Sequence, residues 1–205
     1  PYHVYGGQRY FQRAEVKHAI AYLQLMDNPH NDSAFLRVVN FPTRGIGMRS
    51  IEQLQAASEQ YGISLYASVP YVAGKAGSVL AGFVKLIEGV RFETQQLSLP
   101  EMVSVVLEAS TLLQHYQNEK EGADRIENLE QMVSAASQFI SEEGFGQGAP
   151  AHLGPAAQAQ SGAPVVNQDG IEILDADAPL PAVMSPLSAF LSHASLEAGD
   201  NQAQA

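Results

Sequence analysis

The sequence predicts an all-α fold: an irregular helical bundle with a helix-hairpin-helix-like element and a disordered linker. Apolar residues recur every three to four positions through most of the chain, which is the spacing of one face of a helix. Capping and stop residues separate these runs, and strand-like alternation is weak, about four residues near Ile171. The 205 residues, 45% of them apolar, predict one core of ordinary size.

The N-terminal half predicts four helices. Residues 1–12 are expected to form a short extended piece that Gly6-Gly7 turns into a helix beginning at Arg13 and ending at Asn28-Pro29. A short helix over Ser33 to Asn40 follows, and Ser50 is the expected N-cap of the next helix, which Gly62 ends. Residues 63–74 fit either a short helix or an irregular connection. The apolar stripe from Ala76 to Phe92 predicts the fourth helix.

The C-terminal half predicts further helices around a linker. Ser98 and Glu101 form a capping box before a run that extends to Leu113, and a second amphipathic run covers 125–139. The Gly-, Pro- and Ala-rich stretch from Gly144 to Ala182 has too little apolar surface to offset its ordering entropy, so a flexible linker is expected over 143–184. Ser185-Pro186 begins a last helix. The expected domains are therefore 1–12, a helical body over 13–142, the linker, and a return helix with tail over 185–205.

Composition excludes several classes of site. The chain has no cysteine, so disulfides, thiolate metal sites and cysteine nucleophiles are absent. No window of the sequence approaches the length of a membrane-spanning helix, and no membrane partner is expected. The net charge of −11 is unevenly distributed, because residues 1–92 hold nine of the eleven Lys and Arg against six carboxylates. A polyanion should therefore meet the N-terminal part, although an acidic tail that only maintains solubility explains the charge equally well.

The most informative segment is a Gly-apolar-Gly hairpin between two predicted helices. Glycines let a backbone approach a ligand closely, and amides at a helix start favour phosphate. The pattern predicts a sequence-tolerant DNA contact made by Thr43, Arg44, Gly45, Ile46, Gly47, Arg49 and Ser50. The alternative is that the two glycines only close a tight turn, with Ile46 in the core.

Other candidate sites have weaker support. The six histidines, at positions 3, 18, 30, 115, 152 and 193, share no metal-ligand spacing, so no metal site is expected. Ser192 and His193 point in different directions on a helix, and no catalytic residue is expected. A phosphate-binding loop of the Gly-x-x-x-x-Gly-Lys-Ser/Thr type does not occur, so no ATP site of that type is present.

Three blocks of the sequence resemble a known family. The first contains Tyr5, Gly6, Gly7, Arg9, Phe11, Arg13, Glu15 and Lys17; the second is 35–40 running into 42–47; the third comprises 125–130 and 190–194. These blocks are similar to signatures of UvrD-type superfamily I DNA helicases. The Gly144–Ala182 run is longer than the connection usual in that family.

The resemblance implies a place within a larger machine. Residues 1–12 would end the motor subdomain called 2A and form a hinge, and the rest would be the inserted, duplex-contacting 2B subdomain. The parent protein would be a bacterial 3′-to-5′ DNA helicase that acts in DNA repair, in the cytoplasm and associated with the nucleoid. It would bind ATP and Mg, whereas this stretch would hold no cofactor and would not hydrolyse ATP alone. Implied partners are duplex DNA or a fork junction, the motor subdomains and repair proteins. A second interpretation is a protein-interaction or autoinhibitory module that uses the acidic half.

Overall fold

A computed structural model describes residues 9–152 and 184–199, and these residues form a helical bundle. Its helices are α1 Ala14–Asp27, α2 Asp32–Val38, α3 Met48–Tyr61, α4 Leu65–Ser68, α5 Gly74–Glu93, α6 Leu99–Ala109, α7 Leu112–Gln117, α8 Gly122–Glu142 and α9 Pro186–Gly199, with a 3-10 helix at Val69–Tyr71. Beyond helices, one isolated β-bridge joins Ser98 to Pro150 within the described part. The all-α prediction is confirmed. Tyr5, Gly6, Gly7, most of the predicted linker and the tail beyond 199 lie outside the described residues.

Helix α1 is the centre of the bundle. It contacts α2, α5, α6, α8 and α9, and it buries Val16, Leu23, Leu25 and Met26. These residues lie around much of its circumference, because neighbours cover it on several sides. The loop and helices that follow α1 are therefore held against a rigid element.

Several predicted boundaries agree with the structure. Gly62 ends α3 in the left-handed conformation, with φ of 63°. The Glu101 carboxylate accepts hydrogen bonds from the Ser98 hydroxyl at 2.7 Å and from the Ser98 backbone amide at 2.9 Å, as the predicted capping box requires, and these two bonds lower the pKa of the Glu101 carboxyl. The Ser188 amide donates to the Ser185 hydroxyl at 3.1 Å, so Ser185 caps α9 as expected.

The run that begins with the capping box is not one helix. Helix α6 ends at Ala109, and α7 begins at Leu112 after Thr111, whose φ of 62° is left-handed. The apolar spacing continues into Leu113 because both helices bury residues in the same core. Residues 63–74, left open from sequence, form α4 and the 3-10 helix.

The first residues of the predicted linker belong to the folded body. The Ala151 amide donates to the Leu97 carbonyl at 2.8 Å, and the Leu187 amide donates to the Ala151 carbonyl at 3.0 Å. Ala149 and Ala151 are buried. This short segment connects the start of α6 to the start of α9.

Candidate nucleic-acid interface

The predicted hairpin is the loop 39–47 between α2 and α3. Helix α3 begins at Met48, and its N-cap is Gly47, with no side-chain capping hydrogen bond. The expectation that Ser50 is the N-cap is wrong, because Ser50 is the third residue of the helix and its amide donates to the Gly47 carbonyl at 3.0 Å. The helix start therefore lies next to the glycines.

The Asn40 side chain organises the inner side of this loop. Its Oδ1 accepts hydrogen bonds from the Arg44 amide at 2.9 Å and from the Ile46 amide at 3.1 Å. These two amides are already bonded within the protein. They are consequently not available to a ligand.

The Arg44 guanidinium is also engaged within the protein. Nη1 donates to the carbonyls of Val38 at 3.2 Å and Pro42 at 3.0 Å, and Nη2 donates to the Ser110 carbonyl at 3.0 Å. The guanidinium carbon lies 5.7 Å from the Tyr22 ring centroid and 5.4 Å from that of Phe83. The Arg44 guanidinium is thus held against carbonyl groups of the protein itself.

Two further side chains anchor the loop in the core. Ile46 is buried, as the alternative reading of the hairpin expected. The Phe41 ring stacks on the His18 ring with centroids 3.8 Å apart, and the Tyr22 hydroxyl donates to the Phe41 carbonyl at 2.6 Å. Burial raises the pKa of Tyr22 to about 12, so this phenol remains a donor at neutral pH.

The outer side of the loop presents unbonded amides. Among the described residues, the backbone amides of Gly45, Gly47, Met48 and Arg49 have no protein acceptor. All four residues are exposed. The first turn of α3 contains no carboxylate, and the positive end of the helix dipole lies there with Arg49. Glu52, one turn further on, is exposed as well.

The two glycines differ in whether the fold requires glycine at that position. Gly45 has φ of 76°, a conformation that other residues rarely adopt. Gly47 has φ of −86°, and a Cβ placed on it would meet nothing within 4 Å. Neither backbone conformation nor packing within the described residues requires glycine at position 47.

A second polar cluster lies away from this loop, where α1 meets α8. Asn128 receives a hydrogen bond from the Arg13 guanidinium through its Oδ1, and its Nδ2 donates to the buried Glu15 carboxylate at 2.8 Å. The Tyr10 hydroxyl donates to the Asn128 carbonyl at 2.7 Å, and burial raises the pKa of this phenol. The cluster joins the start of α1 to the middle of α8.

The buried Phe11 ring extends this junction to α9. Its centroid lies 6.4 Å from that of Phe190 and 6.2 Å from that of His193, both in edge-on geometry. Arg9 is exposed. The first and third blocks of the resemblance thus meet in one place. The hinge role predicted for the residues of the first block stays a prediction.

Comparison with known proteins identifies the family. A family model described as the UvrD-like helicase C-terminal domain matches residues 1–204. The chain belongs to the UvrD-like helicase family. It is 35% identical to DNA helicase II of Haemophilus influenzae and 36% identical to DNA helicase II of Escherichia coli, each over 99% of this chain. It is also 30% identical, over 67% of its length, to the ATP-dependent DNA helicase PcrA of Bacillus subtilis.

These relatives are much longer than the chain. It spans 24% of the DNA helicase II proteins and 20% of the PcrA protein. Among the described residues, no cluster of His, Cys, Asp and Glu could hold a metal ion. In the same part of the chain, no helix has the length and hydropathy needed to cross a bilayer.

Two asparagines important to these sites were not predicted from the sequence as functional. Asn40 and Asn128 both lie inside the blocks that resemble the UvrD-like family. A polar, uncharged side chain within an otherwise apolar motif was the available signal. Asn is seldom buried without partners, so each position indicated a local hydrogen-bond centre.

Proposed function

We propose that the loop 39–47 and the first turn of α3 bind the phosphate backbone of duplex DNA without sequence preference. The outward amides of Gly45, Gly47, Met48 and Arg49 supply donors. The exposed Arg49 side chain supplies positive charge, and the exposed Thr43 and half-buried Ser50 would complete the contact. Backbone contacts of this kind position DNA and carry little sequence information.

The open space beside Gly47 is the observation that supports this proposal most strongly. The protein leaves open space where its Cβ would be, and its φ suits any residue. A phosphate that approaches the amides of Gly47 and Met48 closely would need that space. The reading in which both glycines only close a turn explains glycine here only through its role as the N-cap of α3, which serine or asparagine would fill better.

The DNA contact would serve a larger enzyme. We propose that this chain is the duplex-binding 2B region of an ATP-dependent 3′-to-5′ DNA helicase that acts in DNA repair, with a helix-hairpin-helix-like element over α2 to α3. The motor subdomains would bind ATP and Mg, and this region would position the duplex ahead of them. The names of the relatives, DNA helicase II and ATP-dependent DNA helicase PcrA, support the part of this assignment that concerns an ATP-dependent DNA helicase.

Fluorescence anisotropy with a labelled duplex tests the contact. The chain should bind with a dissociation constant on the order of 10⁻⁴ to 10⁻⁶ M, and more weakly as salt rises from about 50 to 200 mM. Gly47→Ala should weaken binding about tenfold, because a methyl group moves the phosphate off at least one charge-assisted hydrogen bond. Gly82→Ala, in open space on α5, is the matched control and should bind normally. Equal affinities for the two variants contradict the proposal.

A second candidate function rests on the exposed face of α8. Asp124, Glu127 and Glu130 recur every three residues there, and all are exposed. Such an acidic row suits a basic protein partner, including the chain's own motor subdomains in an autoinhibited state. Salt-sensitive capture of a basic protein partner tests this function. If capture is lost when these carboxylates are neutralised but survives Gly47→Ala, the result supports this function over DNA binding.

A further inference from the structure

We infer that Asn40 and Arg44 are positioning residues that hold the amides of the loop 39–47 outward, and that the Arg44 side chain does not contact DNA. The inference rests on the proposed DNA contact and assigns separate roles within it. Arg49 and the free amides would touch phosphate. Asn40 and Arg44 would set their geometry from behind.

Asn40 acts on the backbone direction. Its Oδ1 accepts the amides of Arg44 and Ile46, at 2.9 and 3.1 Å, on either side of Gly45. Binding both neighbours to one inner oxygen leaves the Gly45 amide between them, without a protein acceptor and exposed. A loop already fixed in this form avoids the ordering entropy that a flexible loop loses on binding.

Arg44 acts on the position of the whole loop. Its guanidinium joins the end of α2, through the Val38 carbonyl, to the α6–α7 junction, through the Ser110 carbonyl. Its guanidinium carbon also lies over the Tyr22 and Phe83 rings, 5.7 and 5.4 Å from their centroids. An outward movement to a phosphate would break three hydrogen bonds to carbonyls, including the one to Pro42. The side chain is therefore better suited to hold the loop than to bind DNA.

Salt dependence separates a contacting arginine from a positioning one. Each phosphate that a cation neutralises contributes about 0.9 to the slope of log affinity against log salt. Losing a contact lowers both the affinity and that slope. Losing a positioning residue lowers affinity through geometry and leaves the remaining ionic contacts, and hence the slope, almost unchanged.

The experiment measures this slope for wild type, Arg49→Ala, Arg44→Met and Arg44→Lys, with circular dichroism to confirm folding. We expect Arg49→Ala to reduce the slope by about one unit. Arg44→Met should reduce affinity about tenfold with the wild-type slope, and Arg44→Lys should not restore affinity fully, because Lys lacks the planar fork that reaches several carbonyls. A slope reduced by about one in Arg44→Met overturns the inference and leaves the proposed function standing. A wild-type chain that does not bind duplex overturns both.

Hydrogen exchange tests the role of Asn40 without DNA and without the Arg44 variants, and a binding measurement supplements it. Hydrogen exchange of the Arg44 and Ile46 amides should be slow in wild type and in Asn40→Asp, which keeps an acceptor oxygen. It should be at least about tenfold faster in Asn40→Ala at unchanged protection of α1, because a lost bond opens these amides locally. Asn40→Ala should also weaken DNA binding with an unchanged slope. Fast exchange already in wild type, or wild-type affinity in Asn40→Ala, contradicts the role of Asn40.

Discussion

Asn128 provides the sharpest test of how α1 is held to α8. The substitution Asn128→Ala removes the Nδ2 donor of the buried Glu15 carboxylate, which is 6% exposed and has no other side-chain donor among the described residues. It also removes the acceptor of Arg13. The Tyr10 bond to the backbone carbonyl of residue 128 remains possible.

The expected loss of unfolding free energy follows from these contacts. A hydrogen bond to a buried charged group contributes about 1.5 to 3 kcal/mol, and an uncompensated buried charge costs about 3 to 5 kcal/mol. Arg13 is exposed, so water replaces its lost bond at small cost. Alanine is the better helix former by roughly 0.5 kcal/mol. The net destabilisation should be about 3 kcal/mol.

Urea denaturation followed by circular dichroism measures this loss of unfolding free energy, provided that the variant and the wild type have the same m-value. Gln131→Ala is the matched control on the same helix, because its side chain makes one exposed hydrogen bond to Glu127 at 3.4 Å. That change should lie within about 0.5 kcal/mol of wild type. In a Glu15→Leu background, Asn128→Ala should be less destabilising, because no buried carboxylate then lacks a donor. If Asn128→Ala and Gln131→Ala are equally stable, the cluster does not hold α1 to α8.

Two further predictions concern backbone packing and pH. Gly77→Ala should destabilise the fold by about 2 kcal/mol or more, because its Cβ would lie 1.9 Å from the Val72 carbonyl oxygen. Gly82→Ala, in open space on α5, should stabilise the fold by about 0.5 to 1 kcal/mol. A higher melting temperature for Gly77→Ala than for Gly82→Ala refutes this description of the packing. Burial, then the positive charges of Arg37 and His115, lower the pKa of His18. The unfolded chain therefore takes up the proton first, so stability should fall as pH drops below about 6.5, and by less in His18→Gln. If the shift in urea midpoint between about pH 7.5 and about pH 5.5 is the same in wild type and in His18→Gln, His18 is not the cause of the loss of stability at low pH.

The sequence predicted local structure well where one short-range rule decides the outcome. The Ser98–Glu101 capping box, the left-handed Gly62 and the Ser185 cap depend on residues a few positions apart. The start of α3 was misplaced at Ser50 because serine is a better intrinsic N-cap than glycine. In the folded chain, the loop is fixed by Asn40 and Ile46, and this places the helix start at Gly47.

In the candidate site, too, local features were predicted from the sequence and long-range contacts were not. The sequence located the hairpin and the unusual pair of glycines, since glycine and turn preferences are local. It could not tell which arginine is free, because Arg44 and Arg49 have the same chemistry and lie five positions apart. Arg44 meets Ser110 across 66 positions, and only the packing of α6 and α7 brings that carbonyl to it.

By itself, the sequence determined the all-α class, most helix limits, the charge asymmetry and the similarity to UvrD-like helicases, since periodicity, capping and motif spacing are properties of neighbouring residues. Tertiary structure alone decided that Asn40 and Arg44 face inward, that Gly47 and Arg49 face outward, and that Asn128 joins α1 to α8. These outcomes depend on hydrogen-bond partners far apart in the chain. Such partners become neighbours only after the helices pack, and a buried polar group then bonds to whichever of them the packing brings within reach.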